Sequence, residues 1–308
     1  MLDRVTGMQV FARVAALGSL SAAARALNMS QTMATKHITA METRLGTKLL
    51  HRSTRRMSLT EPGKNYLDAV ERILNDLDDA ESQAASDATE VRGTLRLNAP
   101  VSFGIRELAP LIPELIRRHP ELTIDLGLND RQVDLVEEGW DLAIRIGTLK
   151  DATTIARRLA TCKMIVCASP AYLKTYGKPR TIADLKNHNC LGYTLSRNVG
   201  ANKWSFDANG KTEVAISGNL QANNGDALVV AAVAGHGIVY QPTFLVAQEI
   251  QAGRLVSLKL DHVVIELTGI FAIYPSARRP PAKVRATIDF LAAQYANVPP
   301  WDRRAKSI

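Results

Sequence analysis

A chain of 308 residues exceeds one typical domain of roughly 100–200 residues, so two or more domains are expected. Its 46% hydrophobic and 22% charged content is that of an ordinary globular protein and excludes a disordered or fibrous chain. No apolar run approaches the roughly 18 residues of a membrane span, and the net charge of +8 favours a polyanionic partner if it is concentrated in one place.

It is concentrated. Residues 1–66 hold ten basic side chains against three acidic ones, whereas residues 67–90 hold Arg72 alone against eight acidic ones. A basic block followed at once by an acidic helix says that only the first block meets the anion. The opening residues lack the basic start, apolar middle and small-residue cleavage site of a secretory signal, so a cytoplasmic location is expected.

In chain order, Val10, Phe11, Val14 and Leu17 share one face of a first helix over 8–17, stopped by Gly18. Ser19 or Ser21 caps a second helix over 22–27, and Asn28 and Met29 make the turn. Ser30 caps a third helix over 31–45. Ala34, Ile38, Met41 and Leu45 form its inward stripe, while Gln31, Thr32, Thr35, Lys36 and Thr39 point outward. Two helices joined by a tight turn, the second polar outside, make a helix-turn-helix. Gln31, Thr32 and Thr35 suit base edges in a major groove, and Lys36 and His37 suit phosphates or flanking bases. A plain three-helix bundle with a solvated polar face is the bland alternative.

Residues 49–60 read as a β-hairpin wing whose Arg52, Arg55 and Arg56 reach phosphate or the minor groove. Thr60 then caps a long helix with Pro62 in its first turn. Leu67, Val70, Leu74 and Leu77 are spaced as a short coiled-coil seam, and the acidic outer face favours a dimer over a helix packed on its own domain.

At this point Phe11 to Ala15, Gly18 to Leu27, Ser30-Gln31, Leu49-Leu50-His51-Arg52 and Leu59-Thr60-Glu61-Pro62-Gly63 together resemble the DNA-binding head of LysR-type transcriptional regulators. Thr32-Met33 departs from the proline and small residue common in that family after the Ser-Gln pair.

Strands are expected over 93–99, 122–128, 142–146, 164–168, 214–216, 237–240 and 265–274, with helices over 106–119, 133–138 and 281–295. This alternation implies open α/β sheets with a ligand at the strand ends. The run Asp134-Leu135-Val136-Glu137-Glu138-Gly139-Trp140-Asp141-Leu142-Ala143-Ile144-Arg145-Ile146-Gly147, with Ser169 to Leu173 and Ala234 to Ile238, resembles the effector-binding domain of the same family, itself similar to periplasmic solute-binding proteins.

The resemblance covers nearly the whole chain. It implies a winged helix-turn-helix (1–60), a linker and dimerisation helix (61–90) and a periplasmic-binding-protein-like α/β effector domain (91–308). The first lobe of that domain is expected at 92–164 and 268–300, the second at 165–267. Homodimers are expected to pair again as tetramers.

Ser102 follows a strand end and opens a helix, where free amides suit a carboxylate, with Pro100, Val101 and Phe103 beside it. Asn129 and Arg145 resemble cleft-lining positions, with an inter-lobe salt bridge as the rival reading for Arg145. Thr194, Asn223, Asn224 and Gln241 are the polar candidates of the second lobe. Trp204 and Phe206 either wall the pocket or simply fill the core. The expected partners are double-stranded promoter DNA, a small-molecule effector (a carboxylate or aromatic acid) and RNA polymerase, with no cofactor and no metal.

An enzyme or a solute-binding protein carrying a nucleic-acid-targeting head is the rival. The absence of GxxxxGK[ST], GxSxG and HExxH and the scattered histidines speak against the first, and the basic head and missing signal against the second. Cys162, Cys167 and Cys190 are too sparse for a disulfide framework or zinc site, and Cys162 and Cys167, an odd spacing apart on a strand, face opposite ways. The basic tail at 303–306 is expected to be solvated.

Overall fold

A computed structural model of the chain describes residues 2–52, 57–84, 90–131, 133–149, 154–196, 198–208, 210–276, 280–296 and 298–305. The chain divides into two compact units, residues 1–89 and 90–308.

The first unit opens with α1 (Arg4–Leu17), α2 (Leu20–Ala26) and α3 (Gln31–Leu45). Helix α1 starts four residues before the expected residue 8 because the Asp3 carboxylate accepts the amides of Val5 and Thr6. Gly18 and Gly46 end α1 and α3 in the left-handed conformation, φ +63° and +67°. Of the two serines before α2, Ser19 is the cap; its Oγ accepts the Ala22 amide.

Strands β1 (Leu50–Arg52) and β2 (Met57–Leu59) pair antiparallel, and α4 (Glu61–Ala84) follows. Val10, Phe11, Val14, Ala23, Ala24, Ala34, Ile38, Met41, Leu49 and Leu50 form the core of this unit, with Val70 of α4 fully buried among them. Leu45 is 40% exposed and not part of the inward stripe, because the helix outruns the bundle at its last turn.

Val70 corrects the expected seam. Leu67, Val70 and Leu74 pack on the head's own core, so the period of α4 records intramolecular burial. Among the described residues of α4, the large exposed apolar side chain is Ile73, 46% exposed.

The second unit is built on a seven-stranded sheet ordered β11-β6-β13-β5-β3-β4, with β12 also on β6. Strands β3 (Gly93–Ala99), β4 (Leu122–Leu128) and β5 (Leu142–Ile146) are mutually parallel. Between β3 and β4 runs one continuous helical segment. It begins as α5 (Val101–Phe103), widens to a π turn at Gly104–Leu108, tightens at Ala109–Leu111 and ends as α6 (Ile112–Arg118). It thus starts five residues before the expected 106. A Cβ on Gly104 would lie 2.3 Å from Leu128, so glycine lets this helix press onto β4.

Strand β6 (Thr154–Ala168) is much longer than the expected 164–168. Its first part pairs with β13 (Glu266–Pro275) and its last five residues with β11 (Ile238–Pro242). One strand therefore passes from the first lobe to the second, which gives the two-lobed α/β architecture.

The second lobe adds α7 (Pro170–Tyr176), a 3-10 turn (Ile182–Asn187), β7 (Gly192–Tyr193), β8 (Lys203–Phe206), β9 (Thr212–Ala215), β10 (Gln221–Ala222), α8 (Gly225–Val233), α9 (Thr243–Gln251) and β12 (Val256–Ser257). Helices α10 (Ala282–Tyr295) and α11 (Pro300–Ala305) close the chain.

One expectation fails here: residues 135–139 form a turn instead of a helix, with Asp134 accepting the amides of Val136 and Glu137 in a local loop that competes with a helix. In the tail Arg303 is exposed, as expected, on α11, whose Trp301 and Asp302 are buried.

Candidate DNA-binding face and effector cleft

The expected recognition face lies on α3. Ser30 caps it through the Met33 amide at 3.2 Å. Gln31, Thr32 and Lys36 are exposed and Thr35 is half-buried, so four of the expected contact residues share one outer surface. Gln31 is held there: its Oε1 accepts from Ser21 Oγ at 2.8 Å, while the Thr35 hydroxyl donates to the Gln31 carbonyl at 2.9 Å. Ser21, expected only as a possible cap, instead orients the leading residue of the helix.

His37 does not join this face. It is 6% exposed beside Met41 and Gly7, and its Nδ1 has no hydrogen-bond partner. A position three after Ala34 and one before Ile38 falls on the inward stripe, which polarity alone did not reveal.

The sequence by itself assigns Glu42 no role of its own. Only 3% exposed, it accepts the Leu49 amide at 3.0 Å, the Leu50 amide at 3.4 Å and Lys48 Nζ at 2.7 Å, so it ties α3 to the hairpin. Burial pushes its pKa up, but the hydrogen bonds from Lys48, Leu49 and Leu50 outweigh that and leave it lowered. Behind the hairpin, the Thr60 hydroxyl donates to the Lys48 carbonyl and accepts the Gly63 amide. A Cβ at Gly63 would sit 2.1 Å from the Leu49 carbonyl oxygen, so this junction requires glycine. Of the expected wing cations, Arg55 and Arg56, and the side chain of Arg52, lie outside the described residues.

In the second unit the lobes meet at Ser102, Asp130 and Asn224. Asn224 caps α8, its Oδ1 accepting the Asp226 and Ala227 amides. Its Nδ2 crosses to Ser102 Oγ at 3.4 Å and Asp130 Oδ2 at 3.1 Å. Asp130 Oδ1 in turn accepts the Val101 amide at 3.0 Å. Beside this, Arg106 in the π turn grips Asp226 of α8 at 2.6 and 2.8 Å, both partners partly exposed. The anion position expected at Ser102 therefore holds the chain's own carboxylate. Burial, then the charge of Asp130, pushes the Tyr193 phenol up to about 12.

Gln241 is 4% exposed, next to Gly225, and its amide makes no hydrogen bond among the described residues. Asn129 Oδ1 is likewise buried without a partner. Pro100 and Val101 are half-buried at the start of the helix, and Thr194 and Asn223 are exposed.

Four candidates are corrected. Arg145 donates to Asn98 Oδ1 at 3.0 Å and to the carbonyls of Ile144 and Val133, all in the first lobe, and makes no ion pair among the described residues. Burial draws its pKa down, against the charge of Glu138. Its guanidinium is thus held by Asn98 and the Val133 carbonyl of its own lobe. Trp204 is fully buried, edge-on to Tyr240 with its Nε1 donating to Gly200, and Phe206 stacks on the same Tyr240, so both are core. Phe103 is also fully buried, in a ring cluster with Phe244, Tyr295 and Trp301.

All three cysteines are free and buried. Desolvation pushes the thiols up, to about 12 at Cys162 and Cys190, which leaves them as small apolar groups. Among the described residues no group of His, Cys, Asp or Glu is arranged to hold a metal, and no helix is long and apolar enough to cross a membrane.

A helix-turn-helix head and a two-lobed α/β domain with polar groups facing across its cleft define a class of ligand-responsive DNA-binding proteins. Residues 5–64 match the family described as "Bacterial regulatory helix-turn-helix protein, lysR family", and residues 88–296 match the LysR substrate binding domain. An HTH-type transcriptional regulator of Haemophilus influenzae is 34% identical over 283 residues, 92% of this chain and 98% of that protein. The HTH-type transcriptional activator AaeR of Escherichia coli is 33% identical over 299 residues, 96% of each. Among solved structures, CrgA of Neisseria meningitidis aligns over 95% of this chain and 99% of that one, with 31% identity and a TM-score of 0.61. The chain belongs to the LysR family of transcriptional regulators. It is a DNA-binding regulator under the control of a small-molecule effector domain, and not an enzyme.

Proposed function

We propose that the regulator works in the cytoplasm and reads promoter DNA through Gln31, Thr32 and Thr35, with Ser30 and Lys36 on flanking phosphates and Arg52, Arg55 and Arg56 gripping the backbone. The observation that carries this reading is the Ser21–Gln31 hydrogen bond, which holds a long polar side chain outward at the start of α3. Preorganised donors and acceptors at that point suit base edges, whereas flexible cations suit phosphate.

Gel shifts on DNA upstream of the gene test the division of labour. Gln31→Ala is expected to change which sequence is preferred, by about 1–3 kcal/mol at one or two positions. Neutralising Arg55 and Arg56 together is expected to weaken binding to all sequences and reduce the slope of log K against log salt by about 2. The same uniform loss from both changes rejects the assignment.

Two copies then pair through the free face of α4, where Ile73 is the large exposed apolar residue and Leu77 lies half-buried one turn on. Ile73→Glu is expected to weaken self-association at least tenfold by sedimentation, leaving the head folded. Leu67→Glu is expected to unfold the head instead, because Leu67 faces its own core. Effector domains associate through the exposed Ile105 and Val230, which flank the Arg106–Asp226 pair, and so build a tetramer for RNA polymerase to meet at the promoter.

The effector enters between the lobes, among Ser102, Asn129, Asn224 and Gln241, with Pro100, Val101, Thr194 and Asn223 at its edge. A carboxylate effector, the expectation from Ser102, competes there with Asp130.

A further inference from the structure

The cleft's hydrogen-bond inventory is unbalanced. Asp130 receives two N–H donors, from Val101 and Asn224, and among the described residues no cation stands within ion-pair distance of it. The residue before it, Asn129, buries an Oδ1 that accepts nothing. In the second lobe Gln241, a residue 4% exposed, brings a carboxamide with both an acceptor and a donor beside Gly225. The Val101 amide, the donor an incoming carboxylate would need, is already taken. A carboxylate brings only acceptors, and buried acceptors call for donors.

We propose that Asp130 is the cleft's own anion: a tethered carboxylate that bridges the Val101 amide of the first lobe and the Asn224 amide of the second, holding the lobes together, turning simple carboxylates away and selecting an effector that brings hydrogen-bond donors to meet it. This rests on the space between the lobes being the effector site. It gives the cleft a built-in occupant: an effector acts by exchanging the Asn224–Asp130 bond for its own, and the lobes answer that exchange.

Chemical rescue of the full chain tests this. Trp140, Trp204 and Trp301 all lie in residues 90–308, so tryptophan fluorescence follows thermal unfolding of that unit alone. Asp130→Ala vacates the seat, and Asp130→Asn keeps its shape while blocking an anion. Acetate, against chloride at equal ionic strength, is expected to raise the Asp130→Ala midpoint by about 3 °C, the shift that occupancy near tenfold above Kd produces in a domain of this size. Wild type and Asp130→Asn are expected to stay put. Ethanolamine hydrochloride, which offers ammonium and hydroxyl donors, is expected to stabilise wild type and not Asp130→Ala.

No acetate response in Asp130→Ala, or an equal response in wild type, overturns the internal anion. Ethanolamine shifting both proteins equally, or neither, overturns the selection of donors. A third readout separates this from the effector-site reading. If acetate stabilises Asp130→Ala yet DNA affinity is the same for wild type and variant with and without acetate, the anion stands and the cleft is not the regulatory site.

Discussion

Replacing Trp301 with alanine is expected to lower the midpoint of thermal unfolding of the effector domain by about 10 °C. The ring is fully buried and touches three others: Phe103 at 5.7 Å, Tyr295 at 5.3 Å and Phe244 at 6.2 Å between centroids. These come from the helix after β3, from α10 and from α9, so one side chain joins both lobes and the closing helix. Removing a buried tryptophan costs about 3–5 kcal/mol through lost transfer energy and the cavity left behind, and about 2–4 °C follows each kcal/mol in a domain of this size.

The contrasting change is Trp301→Phe. Trp301 Nε1 is buried without an acceptor, so phenylalanine removes an unsatisfied donor while keeping most of the apolar contact. It is expected to cost less than half as much as alanine. Equal losses from both would show that the apolar contact a phenyl ring keeps contributes nothing here, against the assignment. Asp302 next to it, held by Thr243 Oγ1 at 2.7 Å with Lys163 at 3.5 Å, keeps α11 in place around the tryptophan.

Glu42→Ala is expected to lower the melting temperature of the head by about 15 °C and to abolish DNA binding at temperatures where wild type still binds. The substitution strands the Leu49 and Leu50 amides in a buried site and frees the hairpin from α3. Each orphaned donor costs about 1–3 kcal/mol, and a small head has few kcal/mol to lose. Circular dichroism melts and a gel shift on the same samples measure it. The pH dependence has a fixed sign. Because the folded pKa of Glu42 lies below its ordinary 4.5, its contribution is fully present above about pH 4.5 and is lost as the pH falls through the folded value. The gap in stability between wild type and Glu42→Gln should therefore narrow on acidification below that point; a gap that widens there would refute the assignment.

The helix-turn-helix was legible because its signals are local. Ser30, Gly18 and Gly46 act on adjacent amides and φ angles, and Ala34, Ile38 and Met41 repeat at the helical period. The strands Gly93–Ala99, Leu122–Leu128 and Leu142–Ile146 were legible for the same reason: alternation and apolar content are properties of neighbours along the chain. The errors share a cause as well. His37 and Val70 were assigned by chemistry or spacing to a surface, yet which side of a helix is covered depends on what folds over it. Arg145 was placed in a cleft by its position near a strand end, and its guanidinium is held by Asn98 and the Val133 carbonyl of its own lobe instead.

By itself, then, the sequence determined the order of elements, the basic recognition head, the α/β ligand domain and the inertness of three sparse cysteines, since each follows from composition, caps and periodicity over a few residues. Only the tertiary structure decided who meets whom: Ser21 with Gln31, Glu42 with the hairpin, Val70 with its own core, Trp301 between the lobes, and Asp130 with Val101 and Asn224. Those pairings join residues separated by up to about two hundred positions. No local preference encodes them; they are set by how the packed faces of helices and sheets exclude water and leave each buried polar group to find a partner.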